Sequence, residues 1–476
     1  MSEHDDLRHG AQSCSITGFA DGSTAQTTVY SYDGLDRVTA VVYPDGNDIR
    51  YAYNAAGKVT ERIDQRGIVT SYSYDGNYNM VSKIVDSNGA PTDNAAETFT
   101  YDGLGRMLSA DKSVNGSNVS EVDFAYDESG RLTSEAQKLF TFPAKTVSYS
   151  YHQSGEPNYM NTASSKHVSF VRDWQDRIVQ LKVSGYPYVR YDYVGSRVAR
   201  RSYPVLIPGV NYDASYDNLG RITTAHTYQS GTDIAKFNYA YDPNTNSITQ
   251  QEYDHRAGDP ASIFTYDDLR RLTDVQYDID DTNESFDLDK LGNRDGVDTR
   301  YGGQVDYDID TLTNRYDDVG GNTLTYDAAG NLTTDRQGYS YEYDYENRIT
   351  RITRDETDIA EFWYDALGRR VKKRDFITAN RTRWYYYDKD WRVVDEYYQP
   401  GMMVLPKRFY LYGNYIDEVL FAFDNQTYQL TFYAHDHLYS PVALLDGSGA
   451  VIERYEYDAY GEPNILDGSY NPRSPQ

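Results

Sequence analysis

The chain has 476 residues with 46 Lys+Arg against 73 Asp+Glu, a formal net charge of −27 that repels phosphate backbones and anionic lipid and so disfavours nucleic-acid binding. Fifty Tyr beside 15 Phe and 4 Trp, with 35 Gly and only 39 % hydrophobic residues, exclude an ordinary helical bundle, and 14 % aromatic content excludes a disordered chain. A length prior of roughly 150 residues per domain leaves three ordinary domains or one long repeat array.

Residues 1–25 carry no repeat and read as a flexible lead-in. The segment MSEHDDLRHG lacks the charged-then-apolar order of a secretory signal. No stretch of the chain approaches the roughly 18 apolar residues of a membrane span. The single cysteine, Cys14, has no partner for an internal disulfide, and with only His9 near it in sequence it is a poor candidate nucleophile.

From 26 to 400 a hairpin array is expected. Its frame is Tyr32-Asp33-Gly34-Leu35-Asp36-Arg37, repeated at Tyr101-Asp102 with Gly105-Arg106, Tyr126-Asp127 with Gly130-Arg131, Tyr216-Asp217 with Gly220-Arg221, and Tyr364-Asp365 with Gly368-Arg369. Tyr-Asp occurs 18 times, whereas 50 Tyr and 73 acids in 476 residues would place an acid after Tyr about eight times by chance. Frame starts at Tyr191, Tyr216, Tyr241 and Tyr266 step by 25, the length of one hairpin with its connection.

Each position in the frame has a structural task. Alternation before it, as in Thr28-Val29-Tyr30-Ser31-Tyr32, puts aromatic and branched residues on one face of a strand. The Asp carboxylate accepts N–H groups two or three residues on, and the Gly supplies φ > 0 for a hairpin loop built on a type I turn. The Arg opens the return strand, pairing with the turn carboxylate or lying over a tyrosine ring.

The strand count then sets the architecture. Roughly eighteen hairpins spaced about 4.8 Å per strand make a ribbon on the order of 170 Å wide, which closed into one ring would be on the order of 55 Å across. An open sheet rarely exceeds about 10 strands, and side chains fill a barrel of only about 8, so a single wound sheet must be hollow. A β-propeller would need about ten blades against the usual 4–8, and the motif does not alternate in pairs.

Within the array, Asp278, Asp280 and Asp281 form an acidic cluster without the central Gly and distal Glu of an EF-hand, and read as a solvated loop. Residues 401–465 continue the same sheet and contain the block Phe432-Tyr433-Ala434-His435-Asp436-His437-Leu438-Tyr439-Ser440-Pro441, closing with Tyr457-Asp458-Ala459-Tyr460-Gly461. Two histidines at i and i+2 of a strand share a face and could hold a cation; the other reading is a polar strand-turn element tied by hydrogen bonds. Residues 466–476 read as a loose tail. No Gly-x-Ser-x-Gly elbow, phosphate-binding Gly-x-x-x-x-Gly-Lys loop or His-Glu-x-x-His occurs, and acidic pairs are too abundant to point to glycoside hydrolysis, so no catalytic residue or cofactor is assigned.

The Tyr-Asp-x-x-Gly-Arg units, Tyr326-Asp327-Ala328-Ala329-Gly330-Asn331 and above all the His435-to-Glu462 block resemble Rhs/YD-repeat proteins and their core-associated segment. The resemblance runs from about Tyr30 to Gly461. It implies an all-β fold of hairpins wound as a spiral sheet into a hollow shell, as in Rhs polymorphic toxins, the Tc-toxin cocoon and the teneurin barrel; the length of the chain argues for a shell open at one or both ends. The resemblance also implies a non-enzymatic wall around a polypeptide cargo or toxin domain, or a recognition module for a cell-surface carbohydrate or protein, in a secreted or cell-surface protein. Two departures stand out. Tyr439 replaces the usual Gly, changing a local turn, and the autoproteolytic Asp-Pro-x-Gly is missing, since Asp242-Pro243 and Asp259-Pro260 continue into Asn and Ala. The chain thus reads as shell wall without lid or cargo, with open sheet edges that favour self-association.

Overall fold

The computed structural model describes residues 13–20, 24–377, 381–399, 403–415 and 417–473, with side chains from 26 onward. The Cys14 side chain and residues 1–12 and 474–476 lie outside the described residues. Every regular element described is a β-strand, from β1 (Ser13–Ala20) and β2 (Thr24–Tyr32) to β42 (Pro463–Asp467). The first 28 strands form one sheet and the last 14 another. Within each, strands pair antiparallel with their neighbours in chain order, as β2–β3, β8–β9 and β19–β20 do in the first and β33–β34 and β41–β42 in the second. The ladder breaks at Leu324, between β28 (Asn322–Thr323) and β29 (Thr325–Tyr326), where the Leu324 N–H donates to Asp317 O instead.

Part of the stretch read as lead-in is thus strand, because Ser13–Ala20 find pairing partners along β2. β42 likewise runs into the stretch read as tail and is followed by a turn in which Asp467 Oδ1 accepts from Ser469 and Asn471. Across residue 400 the ladder continues, β36 (Val393–Tyr398) pairing with β37 (Leu405–Tyr412).

Hairpin turns with the Tyr-Asp frame lie along one edge of the ribbon and the connecting turns along the other. Gln26 Nε2 donates to Thr311 O at 2.8 Å, bringing β2 beside the turn after β26 (Gly303–Asp310). One circuit therefore takes about 24 strands, roughly 115 Å around and 37 Å across at about 4.8 Å per strand, far wider than side chains fill. The ribbon is a spiral rather than a single ring, which is why its first turn is narrower than a ring made of all the hairpins.

The second coil lays its Tyr-Asp edge on the connecting-turn edge of the first. Arg66 Nη1 donates to Asp344 O at 3.0 Å, Gln137 exchanges two hydrogen bonds with the Tyr387 backbone, and the Ala459 N–H donates to Glu284. The arc from Arg66 to Glu284 is thus matched by only Asp344 to Ala459, so the second coil turns on a smaller radius and the shell tapers towards its C-terminal end. There the largest apolar core joins β12 (Lys145–Tyr151) through β20 (Thr232–Tyr241) to β36 through β41 (Val451–Tyr457), with Leu181, Val189, Phe409, Phe421, Phe432 and Leu445 buried together.

Candidate functional site

In the Tyr32 frame, Asp33 Oδ1 accepts from the N–H groups of Leu35 and Arg37, at 2.9 and 3.1 Å, while Oδ2 takes Arg37 Nε at 2.8 Å. The same carboxylate-arginine clamp closes nine turns, beginning at Asp33, Asp102, Asp127, Asp173, Asp217, Asp267, Asp344, Asp365 and Asp388. The loop is built on an i to i+3 turn, with Gly105 N donating to Asp102 O at 3.0 Å, and the fifth position is left-handed: φ is 79° at Gly105, 81° at Gly130, 78° at Gly220 and 92° at Gly368. Asp36 takes φ 57° there in the first frame, a conformation Asp tolerates better than most residues. At Gly220 the need is also steric, since a Cβ would collide with the Arg197 guanidinium. The Asp33 carboxylate is held below the ordinary range by Arg37 and by the turn N–H groups.

Each frame also grips its neighbours. Fifteen frame tyrosines donate their hydroxyl to a main-chain carbonyl of the preceding hairpin, for example Tyr101 to Met80, Tyr126 to Met107, Tyr216 to Val198 and Tyr364 to Ile349. In the other direction, eight of the nine clamp arginines lie 4.5–5.2 Å from the ring centroid of the next frame tyrosine, as Arg106 does over Tyr126 and Arg221 over Tyr241. Arg131 completes the link through Nη1, which donates to His152 O at 3.2 Å. The arginine takes both the carboxylate and the ring rather than one of the two, and the tyrosine adds a link to the preceding hairpin that the motif alone does not reveal. The recurring 25-residue step, which stacks each Tyr beside the previous Arg, is the signal for it.

The His435 block proves to be one more turn of this kind. Asp436 Oδ1 accepts from Leu438 and Ser440, and His435 stands where other frames have Tyr and Ser440 where they have Arg. Tyr439 occupies the left-handed position with φ 63° and stacks on Tyr415 at 4.4 Å, so the turn expected to change keeps its shape and the ring fills space beside it. His435 is buried, with neither ring nitrogen hydrogen-bonded, and burial, helped by the Arg201 charge, depresses its basicity strongly. His437 packs on Tyr239 at 4.3 Å and is pushed down to about 4 by burial. The two histidines thus face different neighbours, and among the described residues no three His, Cys, Asp or Glu side chains gather as cation ligands. Of the acidic cluster, Asp280 pairs with Arg300 at 2.9 Å and Asp281 has φ 55° in the turn.

Beside this block a cleft of about 740 Å³ opens between the first coil and the last strands. Asp436, His437, Ser440, Pro441, Tyr457, Asp458 and Gly461 line it, so most of the expected core-segment residues converge on one cavity while His435 stands behind it. Phe237, Tyr253, Phe264 and Tyr266 form the opposite wall. Burial lifts the Asp436 carboxyl to about 6.

An RHS Repeat family model matches residues 53–91. Among curated proteins, the chain is 27 % identical over 209 residues to the tRNA3(Ser)-specific nuclease WapA of Bacillus spizizenii, covering 43 % of this chain and 8 % of that protein. It is 24 % identical over 501 residues to mouse (Mus musculus) Teneurin-4, covering 90 % of this chain and 17 % of that one. The chain thus spans less than a fifth of these relatives. Among solved structures, the TcdB2-TccC3 crystal structure superposes with a TM-score of 0.75 at 13 % identity, covering 97 % of this chain and 28 % of that one. A Photorhabdus luminescens Tc holotoxin pore structure gives 0.61 at 16 % identity, covering 92 % and 27 %.

Proposed function

We propose that this chain, which has a shell-like scaffold fold and resembles Rhs/YD-repeat proteins, is the non-enzymatic wall of a container for a polypeptide cargo, in a secreted or cell-surface protein. The observation that supports this reading is the coil of about 24 strands that abuts itself through Gln26 and Thr311: its circumference leaves a lumen that its own side chains do not fill. A net charge of −27 suits a basic or partly unfolded cargo and disfavours RNA. The nuclease named in the WapA relatives belongs to proteins of which this chain matches 8 %.

Small-angle scattering tests the container. A filled globule of this length has a radius of gyration near 23 Å by the usual scaling. A clearly larger value, with few interatomic distances near the centre, is expected; a value near 23 Å with a filled profile overturns it. The second reading, a recognition module for a carbohydrate or a surface protein, draws on the aromatic cleft beside Tyr457 and Tyr266. Glycan-array binding lost on Tyr→Ala substitution in that cleft would favour it.

A further inference from the structure

In eight of the nine clamped turns the arginine lies between its own turn carboxylate and the ring of the next frame tyrosine, and in four of these, at Arg37, Arg106, Arg131 and Arg177, Nη1 also donates to a main-chain carbonyl of the next turn. For Arg131 the parts of this receptor are Asp127 Oδ2 at 2.7 Å from Nε, the Tyr151 ring with its centroid 4.8 Å away, and His152 O at 3.2 Å from Nη1. The turn at Asp436 builds the same receptor and leaves out the arginine. Ser440 holds the arginine position and offers only a hydroxyl. No ion pair reaches the Asp436 carboxylate among the described residues, although Asp436 keeps its two turn hydrogen bonds.

The rest of the receptor is in place. Tyr457 donates its hydroxyl to Pro441 O at 2.6 Å, as Tyr151 does to Leu132 O at 2.6 Å, which puts its ring where the missing guanidinium would stack. No cation lies over that ring among the described residues. Asp458 follows Tyr457 as His152 follows Tyr151, so its carbonyl stands where the third contact is made. Asp436, Ser440, Tyr457 and Asp458 all line the 740 Å³ cleft, so the vacancy opens into a space that admits more than one side chain. The turn at Asp458 lacks an arginine too, because Glu462 takes that position, which leaves a second carboxylate in the same cleft without an arginine clamp.

We propose that this slot binds the guanidinium of an arginine on another polypeptide, with the Asp436 carboxylate, the Tyr457 face and the Asp458 carbonyl taking the roles that Asp127, Tyr151 and His152 play for Arg131. A guanidinium is selected over an ammonium, because its planar fork reaches carboxylate and carbonyl while lying flat on the ring. Assigning that arginine to an enclosed polypeptide rests on the container reading; the slot itself does not.

The test uses a blocked Gly-Arg-Gly peptide, with its lysine and citrulline counterparts, titrated against the whole chain and followed by ligand-observed NMR. The arginine peptide is expected to bind at least tenfold more tightly than either counterpart, and Asp436→Asn to weaken it at least tenfold. Ser440→Arg should fill the slot from within, abolish binding and leave the melting temperature unchanged or higher. Tyr457→Phe should keep binding and Tyr457→Leu lose it, which preserves the test if Ser440→Arg does not fold. Equal binding of arginine and citrulline peptides, undiminished binding to a folded Ser440→Arg, or no binding up to about 10 mM peptide overturns the proposal. Hollow scattering without peptide binding would reject the slot alone, and arginine-selective binding by a filled particle would reject the container alone.

Discussion

Arg369 and Glu135 are 234 residues apart in the chain and form an ion pair with Nη1 and Oε1 at 2.5 Å, both side chains almost wholly buried. Arg369 at the same time closes its own turn on Asp365. The same motif at Arg131 and Asp127 lies on the free edge of the first coil, with the side chains 33 % and 24 % exposed. One sequence unit therefore occupies two environments, rim and seam.

The cost of removing it should differ accordingly. Arg369→Ala strands Glu135 and Asp365 without their cation and is expected to destabilise by about 3–5 kcal/mol. Arg131→Ala, where water replaces the guanidinium, should cost about 1 kcal/mol or less. Urea denaturation of the two variants checks this, and equal costs would contradict the seam.

The tyrosine link predicts a smaller, repeated effect. Tyr126→Phe keeps the ring under Arg106 and loses only the hydrogen bond to Met107 O, at about 0.5–1.5 kcal/mol. The same change at Tyr216 and Tyr364 should give similar values, and their sum should hold in the triple variant because the three hairpins do not adjoin one another. A variant with no loss of stability at any of the three positions would show that the hydroxyls do not join the hairpins.

Tyr439 balances backbone strain against ring packing. Its φ of 63° disfavours any residue with a Cβ, so Tyr439→Gly should be more stable than Tyr439→Ala by about 1 kcal/mol. Both should be less stable than the natural chain, since both lose the stack on Tyr415. Thermal melts of the pair decide it: equal melting temperatures would mean that the turn relaxes out of the left-handed region.

Asp436 gives a pH dependence of known sign. Its carboxyl is raised by burial to about 6 from an unfolded value near 3.9, so between those values the folded chain holds the extra proton. The penalty is absent below about pH 4 and complete above about pH 7. Asp436→Asn removes it while keeping an oxygen for the Leu438 and Ser440 N–H groups. The variant should therefore gain on the natural chain by roughly 1.4 kcal/mol as pH rises from about 5 to about 7.5, about half of the roughly 3 kcal/mol of the full shift. Urea midpoints that stay parallel across that range would refute it.

Much of this was legible in the sequence, for a physical reason: the hairpin is a local object. Asp33, Asp36 and Arg37 lie within five residues, and the carboxylate, the left-handed position and the guanidinium satisfy one another without help from the rest of the chain. The Tyr-to-carbonyl link was hidden because it joins residues of successive hairpins, such as Tyr53 and Val38, that touch only once the ribbon has formed. The His435 block looks like a motif of its own because three frame positions, His435, Tyr439 and Ser440, differ in residue type; Asp436, left in place, is the sign that it is one more turn.

By itself the sequence determined the strands, their antiparallel order, the turn chemistry and, through the number of strands, that the sheet must wind. Only the tertiary structure decided which turns are rim and which are seam. The Asp102-Arg106 and Asp365-Arg369 clamps have the same residues and the same internal geometry. What separates them is that the second coil brings Glu135 against Arg369, whereas Arg106 keeps water on one side. Winding radius and taper come from small twists summed over more than twenty strands, and no local pattern of residues encodes that sum.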